Sequence, residues 1–329
     1  MTITVVGSIA YDAVKTPFGE RERMLGGAAV YFALAASFFD EVRVVGPVGE
    51  DFGEGELEVL LRRGVDVADI ERVAGGRTFF WRGEYGWDLN SRETLDTQLG
   101  VFEGFQPKLS PGSRASEVLF LANIQPDLQR GVREQLPDAR FVALDSMNFW
   151  IDSARDSLVQ AIESVDCLIL NDAELRQLTG KPNLVSAARE IFSWKARAAN
   201  GSTAGGSSTG GRGPSVIVAK QGEYGAALVT REGFFALPSY PLETVIDPTG
   251  AGDTFAGGFV GYIAAHPGEE LSGELLRRAM AHGTALASFN VEEFGTARIE
   301  RLTGEEISAR VQELHAITQF SSAPLQLRG

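Results

Sequence analysis

The sequence predicts an α/β fold, a doubly wound and mostly parallel sheet with a small β-sheet lid outside it. Three observations carry this: short apolar runs recur along the chain, polar punctuation and a helical stretch follow each run, and one aromatic-rich segment breaks the pattern. The runs are ITVVG (3–7), VRVVG (42–46), EVLFLAN (117–123), RFVALD (140–145), DCLILN (166–171) and SVIVAK (215–220). Both of their faces are apolar, as expected of parallel strands covered by helices on each side. The amphipathic stretches 55–64, 156–165, 184–196 and 273–289 supply the crossover helices. The exception is segment 72–105, which alternates aromatic and polar residues around glycines. It reads as antiparallel ribbon and a candidate lid, with residues about 11–22 as its candidate partner. AANGSTAGGSSTGGRGP (198–214) reads as a flexible Gly/Ser-rich surface insertion. One domain over 1–329 with these two excursions is the expected organisation.

Composition narrows the function. Of 329 residues, 44% are hydrophobic and 22% charged, which is globular usage, and no apolar run nears the ~18 residues of a membrane helix. The start, MTITVVGSIAYD, reads as a first strand and not as an export signal, so a cytoplasmic location is expected. Cys167 is the only cysteine, which excludes an internal disulfide and a thiolate metal cage; within VDCLIL it reads as a buried small hydrophobe. His266, His282 and His315 share no metal-ligand spacing. A net charge of −14 without a basic run argues against nucleic acid as a partner. An anionic ligand must therefore be held by local features, such as helix ends and a divalent cation.

Ligands of open parallel sheets bind beyond the carboxyl ends of the strands. The residues found there are Ser8 and Asp12, Asn123, Asp145 with Asn148, Asn171 with Glu174, and Lys220 with Gly222. Each one alone also fits a helix cap or loop; it is their convergence on one rim that marks a site. NDAE (171–174) has the spacing of a capping box, and equally offers an Asn and a Glu to a hydrated magnesium ion.

DPTGAGDTFAGGF (247–259) is the most informative stretch. ETVI (243–246) reads as a strand, Pro248 ends it, and FAGGFVGYIAAH continues as a helix with Phe255, Phe259 and Ile263 spaced by four. Gly250, Ala251 and Gly252 then lie at the helix amino end, where free N–H groups and the dipole favour an anion. Asp253, in the same turn, is either a dipole complement or a base placed to take a proton from an attacking hydroxyl. Helix packing accounts for the glycines at 257, 258 and 261.

DPTGAGDTFAGGF is similar to the carboxyl-terminal signature of the ribokinase or PfkB family of carbohydrate and nucleoside kinases. The resemblance covers nearly the whole chain. GGAAVYFALAASFF (26–39) resembles the family's glycine pair and helix, and 44–67 the segment that follows. NDAE resembles its magnesium-associated motif, and VIVAKQGEYGAAL (216–228) its nucleotide-binding strand and turn. The resemblance implies a ribokinase-like three-layer sandwich and ATP-dependent phosphorylation of a hydroxyl on a small sugar-like or nucleoside substrate. It further implies Asp253 as catalytic base and the amides of Gly250, Ala251 and Gly252 as anion hole. Asn171 and Glu174 would act on magnesium, directly or through water, and Lys220, Gly222 and Thr249 would line the nucleotide. Asp247 would help hold a monovalent cation, commonly potassium. Asp12 would bind substrate hydroxyls with Gly26 and Gly27 close by, and the rim residues Asn123 and Asn148 are further substrate candidates.

This chain also departs from the family. Where many of its sugar kinases place a substrate-contacting Asn, Tyr31 stands, and DSMNFW (145–150) lacks the Arg of the Asp-x-Asn-x-Arg motif. With Phe79, Trp81 and Trp87 in the lid, these differences argue against a simple ribose or fructose acceptor. The aromatics fit either stacking on a nucleobase or packing of the lid itself. ASFNVEEFGT (287–296) is the expected adenine-side segment. A homodimer joined through the lids is the expected assembly.

Two other functions compete. A dinucleotide oxidoreductase would use the GAG turn, but Phe255 stands where a third glycine belongs. A non-catalytic nucleotide or sugar sensor would have no use for Asp253 and NDAE. A Walker-type kinase is excluded, because no Gly-x-x-x-x-Gly-Lys-Ser/Thr occurs.

Overall fold

The computed structural model describes residues 1–201 and 213–320. Its strands are β1 (Ile3–Val6), β2 (Ala10–Thr16), β3 (Gly19–Gly26), β4 (Val42–Gly49), β5 (Asp66–Val73), β6 (Phe79–Tyr85), β7 (Arg92–Gln98), β8 (Val118–Leu121), β9 (Phe141–Asp145), β10 (Cys167–Asn171), β11 (Val216–Lys220), β12 (Ala226–Thr230) and β13 (Phe234–Leu237). Its helices are α1 (Ala28–Ala36), α2 (Glu54–Arg62), α3 (Pro111–Arg114), α4 (Pro126–Gln135), α5 (Asn148–Ser153), α6 (Arg155–Glu163), α7 (Asp172–Thr179), α8 (Leu184–Gly201), α9 (Ala251–Ala264), α10 (Gly273–Asn290), α11 (Ala297–Glu300) and α12 (Gly304–Thr318).

Among the described residues the main sheet runs β13-β12-β11-β10-β9-β8-β1-β4-β5. From β11 to β5 every neighbour is parallel, while β12 and β13 close one edge antiparallel. The chain winds outward from β1 in both directions, so the order reverses at β1, and ligands of such sheets gather at that reversal. Alternate residues of the buried strands feed two cores. Ile3, Val5, Phe120 and Val218 pack with α1, α9 and α10, whereas Val6, Leu119, Leu121, Leu144 and Leu170 pack on the other face under α4, α6, α7 and α8. The six apolar runs read from the sequence are all strands of this sheet, which confirms the doubly wound α/β class.

The expected lid is a second, small sheet of order β3-β2-β6-β7. Both of its hairpins are antiparallel, but β2 joins β6 in parallel, and the first hairpin extends over 10–26. The expected ribbon, 72–105, starts inside β5 of the main sheet and enters the lid only at Phe79. The expected insertion at 198–214 begins within α8, which runs to Gly201; residues 202–212 of it lie outside the described residues.

One expected strand does not form. ETVI (243–246) is irregular, with Glu243 and Thr244 exposed, and it pairs with no strand among the described residues. The N–H groups of Ile246 and Asp247 donate instead to the Val291 carbonyl (2.8 and 3.3 Å), tying the segment to the end of α10.

α9 is buried on nearly every side from Thr254 to Ala264, and its glycines explain how. A Cβ on Gly257 would collide with the Phe32 carbonyl of α1, one on Gly261 would lie 3.1 Å from the Ala36 Cα, and one on Gly258 would lie 2.9 Å from the Gly283 Cα of α10. Backbones thus meet backbones, as the packing explanation of these glycines requires. Phe259 is fully buried in this seam, and cutting such a side chain to Ala typically costs ~3–5 kcal/mol.

Candidate active site

The turn before α9 is built from both sides. Asp247 is fully buried; its Oδ1 accepts the Thr249 N–H (2.9 Å) and its Oδ2 the Gly295 N–H (3.0 Å). Buried Asn290 donates its Nδ2 to the Thr249 carbonyl (2.8 Å) and accepts from the Thr254 hydroxyl (3.2 Å). The segment 287–296 therefore braces this turn. Gly250 caps α9 at φ 75°, a left-handed conformation that favours glycine, and a Cβ there would lie 2.5 Å from the Tyr31 ring. Of the three expected anion-hole amides, that of Ala251 donates to the Pro248 carbonyl (3.2 Å), while those of Gly250 and Gly252 have no acceptor among the described residues. A narrower anion cradle remains, at a helix amino end.

Asp253 projects from the first turn of α9 beside this cradle. Burial and the nearby charge of Asp145 push its carboxyl up to about 7, against the opposing pull of Lys220 and Arg92. Lys220 Nζ donates to Asp145 Oδ2 (3.0 Å) and lies 3.0 Å from where a Gly252 Cβ would stand, so the ammonium abuts the cradle. Burial works against the Lys220 charge, but Asp145, Glu174 and Asp253 outweigh it and raise its pKa.

Asn171 sits across from Lys220 in the β10–β11 register. Asn171 and Glu174 do form the capping box of α7: Asn171 Oδ1 accepts the Glu174 N–H (2.7 Å), and Glu174 Oε2 accepts the Asn171 N–H (2.9 Å). The same Glu174 is pushed up to about 7 by burial and Asp145. A carboxyl so placed gains by meeting a cation, which fits a magnesium ion held mainly by water and phosphate oxygens. No group of three or more His, Cys, Asp or Glu suited to a metal occurs among the described residues.

On the acceptor side, Asp12 lies on β2 at a register shift of the β2–β3 pairing, and bulges commonly re-aim side chains next to active sites. A Cβ on Gly26 would run into the Asp12 carboxylate, so glycine there lets that side chain keep its place. Gly27 stands at the amino end of α1 with φ 97°. Burial, followed by the charges of Asp247 and Asp253, lifts Asp12 to about 7, while Gly27 and Tyr31 hold it down. The charge of Asp253 thus reaches Asp12.

The remaining expected residues divide. Gly222 (φ 57°) lies against the lid tip, 3.1 Å from Asn90 Oδ1 at its would-be Cβ, and Asn90 also donates to Glu223 (3.0 Å). The Thr249 hydroxyl donates to the hydroxyl of Tyr85 on the lid (3.3 Å). Asn123 Oδ1 accepts the Trp150 indole N–H (3.0 Å), and Asn148 is exposed at the start of α5, so neither joins the cluster. Arg92, Tyr85 and Asn290 do join it, and sequence reading assigned them no role. Arg92 pairs with Tyr85 in the β6–β7 register, and its charge lowers Asp253 and Glu174.

Three carboxyls at about 7, against ordinary values near 4, make the unliganded protein pH-sensitive. Their folded-state pKa values are raised, so the stability they allow is full below about 4 and is lost as pH rises through about 7. Asp253→Asn should therefore raise the melting temperature at pH 8 by at least ~2 °C, a gap that shrinks toward pH 4. Differential scanning calorimetry across that range checks it.

The fold is that of a ribokinase-like α/β kinase, a phosphotransferase whose acceptor is a hydroxyl group. Residues 118–301 match the model described as pfkB family carbohydrate kinase, and the chain belongs to that family. It is 27% identical over 277 residues to a cytidine kinase of Thermococcus kodakarensis, covering 82% of this chain and 91% of that one. Its fold is similar to that of Burkholderia thailandensis nucleoside kinase in complex with inosine (TM-score 0.72, 18% identity, 95% and 97% of the two chains). It is also similar to Arabidopsis thaliana ribokinase complexed with ribose and ATP (TM-score 0.71, 19% identity, 94% and 98%). Among the described residues no helix is long and apolar enough to cross a membrane.

Proposed function

We propose that this protein is an ATP-dependent kinase of a small nucleoside or sugar-like alcohol, with Asp253 as general base. One observation carries the reading: the Asp253 carboxyl, raised to about 7, feels the Lys220 ammonium that abuts Gly252, and its own charge reaches Asp12. A base with a pKa near the working pH is the one best suited to proton transfer. The nucleoside form is favoured by the relatives, a cytidine kinase and an inosine-bound nucleoside kinase.

Magnesium ATP, when bound, supplies the phosphoryl group and a cation that offsets its charge. Glu174, with Asn171, would hold the magnesium through water, and Lys220 and Gly222 would line the donor. Asp12 orients the acceptor hydroxyl, whose proton passes to Asp253 as its oxygen attacks phosphorus and the bond to the leaving diphosphate breaks. The Gly250 and Gly252 amides and Lys220 face the negative charge on the transferred group, and the lid excludes water. Asp247 would help hold a monovalent cation: each of its oxygens accepts one backbone N–H and keeps a further lone pair.

An ADP-release assay with magnesium ATP over ribonucleosides, sugars, sugar acids and cyclic polyols tests the reading. Release no faster with any acceptor than without one would overturn it. Arg92 makes no ion pair among the described residues, yet its charge reaches Asp253. Arg92→Ala should cut kcat by up to ~10²-fold, as for a lost transition-state donor, and lower the melting temperature above pH 7, where Asp253 and Glu174 lose a charge that offsets theirs. Phe18, Trp87, Leu95 and Leu99 are exposed on and beside the lid, consistent with a homodimer through this sheet, which light scattering would test.

A further inference from the structure

We infer that Asp51 is a positioning residue for the transfer: it fastens the base of the small sheet to the main sheet, and so sets where Asp12, Tyr85 and Arg92 stand. This rests on the kinase reading above and adds a residue outside the site on which its alignment depends.

β4 ends at Gly49, and the chain about to enter β6 crosses it at backbone distance. A Cβ on Gly49 would lie 2.5 Å from the Thr78 nitrogen, and the Glu50 N–H donates to the Gly76 carbonyl (3.0 Å). Asp51 closes this crossing. Its Oδ1 accepts both the N–H (2.7 Å) and the hydroxyl (2.8 Å) of buried Thr78, whose own oxygen accepts the Gly49 N–H (3.0 Å). The other strands of the small sheet come to the same residue. The Asp51 carbonyl accepts the Tyr11 hydroxyl from β2 (3.0 Å). Arg23 of β3 donates to that carbonyl (3.2 Å) and to Oδ2 (3.3 Å), with its guanidinium 3.7 Å over the Tyr11 ring. The chain leaving β7 returns to the crossing as well, its Val101 N–H donating to the Arg77 carbonyl (2.8 Å). Burial works against the Asp51 charge, but the Thr78 N–H and hydroxyl and the charge of Arg23 outweigh it and hold the carboxyl below its usual range. Asp51 is therefore an ionised acceptor around neutral pH.

These ties gather at one end of the small sheet, and groups that serve the reaction hang from it. Asp12 follows Tyr11 on β2, and Tyr85 at the far end of β6 meets Thr249 before α9. A seven-residue strand such as β6 spans ~23 Å, so a tilt of ~5° at its base would carry its tip by ~2 Å. Misplacement by ~1 Å can cost ~10²-fold in rate.

Asp51→Ala and Thr78→Val remove the two halves of this joint, whereas Asp51→Asn keeps an oxygen for Thr78. Each variant is compared with the parent by hydrogen exchange without ligand. Each is also assayed with magnesium ATP and the ribonucleosides and sugars of the ADP-release assay, for kcat, acceptor KM, nucleotide affinity and ADP released per acceptor phosphorylated. Amides of 79–98 should exchange at least ~10-fold faster in Asp51→Ala and Thr78→Val, with those of α9 unchanged. In both, kcat should fall ~10-fold or more and acceptor KM should rise. ADP released per transfer should rise at least about twofold as water gains entry, while nucleotide affinity holds within about twofold. Asp51→Asn should recover most of the lost activity. A lower melting temperature with parent-like kcat, KM and ADP ratio would make Asp51 a structural tie and overturn the inference, as would unchanged exchange over 79–98. A parent that phosphorylates no acceptor overturns the kinase reading and with it any role in transfer, whereas exchange decides separately whether Asp51 holds the sheet.

Discussion

Asparagine in place of Asp253 is expected to lower turnover by ~10²–10⁴-fold, the range for loss of a general base, with nucleotide affinity nearly unchanged. The substitution is isosteric and sits at the amino end of a helix whose following turns are buried, so the fold should persist. What disappears is a carboxylate poised near 7 beside the cradle. The parent kcat should rise with pH through about 7 as Asp253 loses its proton, and the residual activity of Asp253→Asn should lose that limb. Stopped assays from pH 5 to 9 with equilibrium titration of the nucleotide check both halves. Turnover within a few-fold of the parent would remove Asp253 from the chemistry and leave it a dipole complement of α9.

Lys220→Met is expected to damage both stability and activity. Its ammonium pairs with Asp145 at 3.0 Å, with side chains only 19% and 7% exposed, and it also offsets Glu174 and Asp253. Removing one partner of such a pair strands the other, at a typical cost of ~3–5 kcal/mol. Glu174 and Asp253, raised to about 7, carry little charge at pH 5, so the loss will be largest above pH 7 and smaller near pH 5. Activity should fall by ~10²-fold or more, because the cation abutting the anion cradle is gone. Urea titrations at the two pH values, with kcat at the higher one, separate these effects. Equal stability loss at both would show that Lys220 does not serve the carboxylate cluster.

Much of this was legible in the sequence because it depends on local pattern. Runs such as VIVAK and FVALD announce strands by composition, and DPTGAGD places a turn, a helix start and an acid within seven residues. ETVI has the composition of a strand, but the N–H groups of Ile246 and Asp247 go to the Val291 carbonyl after α10, a tertiary partner that pattern alone does not reveal. NDAE satisfies the spacing of a cap and of a metal-associated motif alike, and the structure shows the cap. Arg92 and Tyr85 escaped for a different reason. They reach the site only because the β6–β7 hairpin folds over Thr249, and nothing in YGWDLNSRE encodes that approach. Asn123 has the opposite history: it ends its strand as a rim residue should, yet Trp150 occupies its side chain.

The glycine seam between α1 and α9 has a consequence for how the enzyme could be altered. Gly27 begins one of these helices and Gly250 caps the other, so under the mechanism proposed above their packing would act as a gauge for the gap between acceptor oxygen and phosphorus. A methyl group at Gly257 would wedge the two rods apart far from any reactant, and tenths of an ångström matter in a transfer governed by alignment. Gly257→Ala is therefore expected to lower turnover without touching any reacting group.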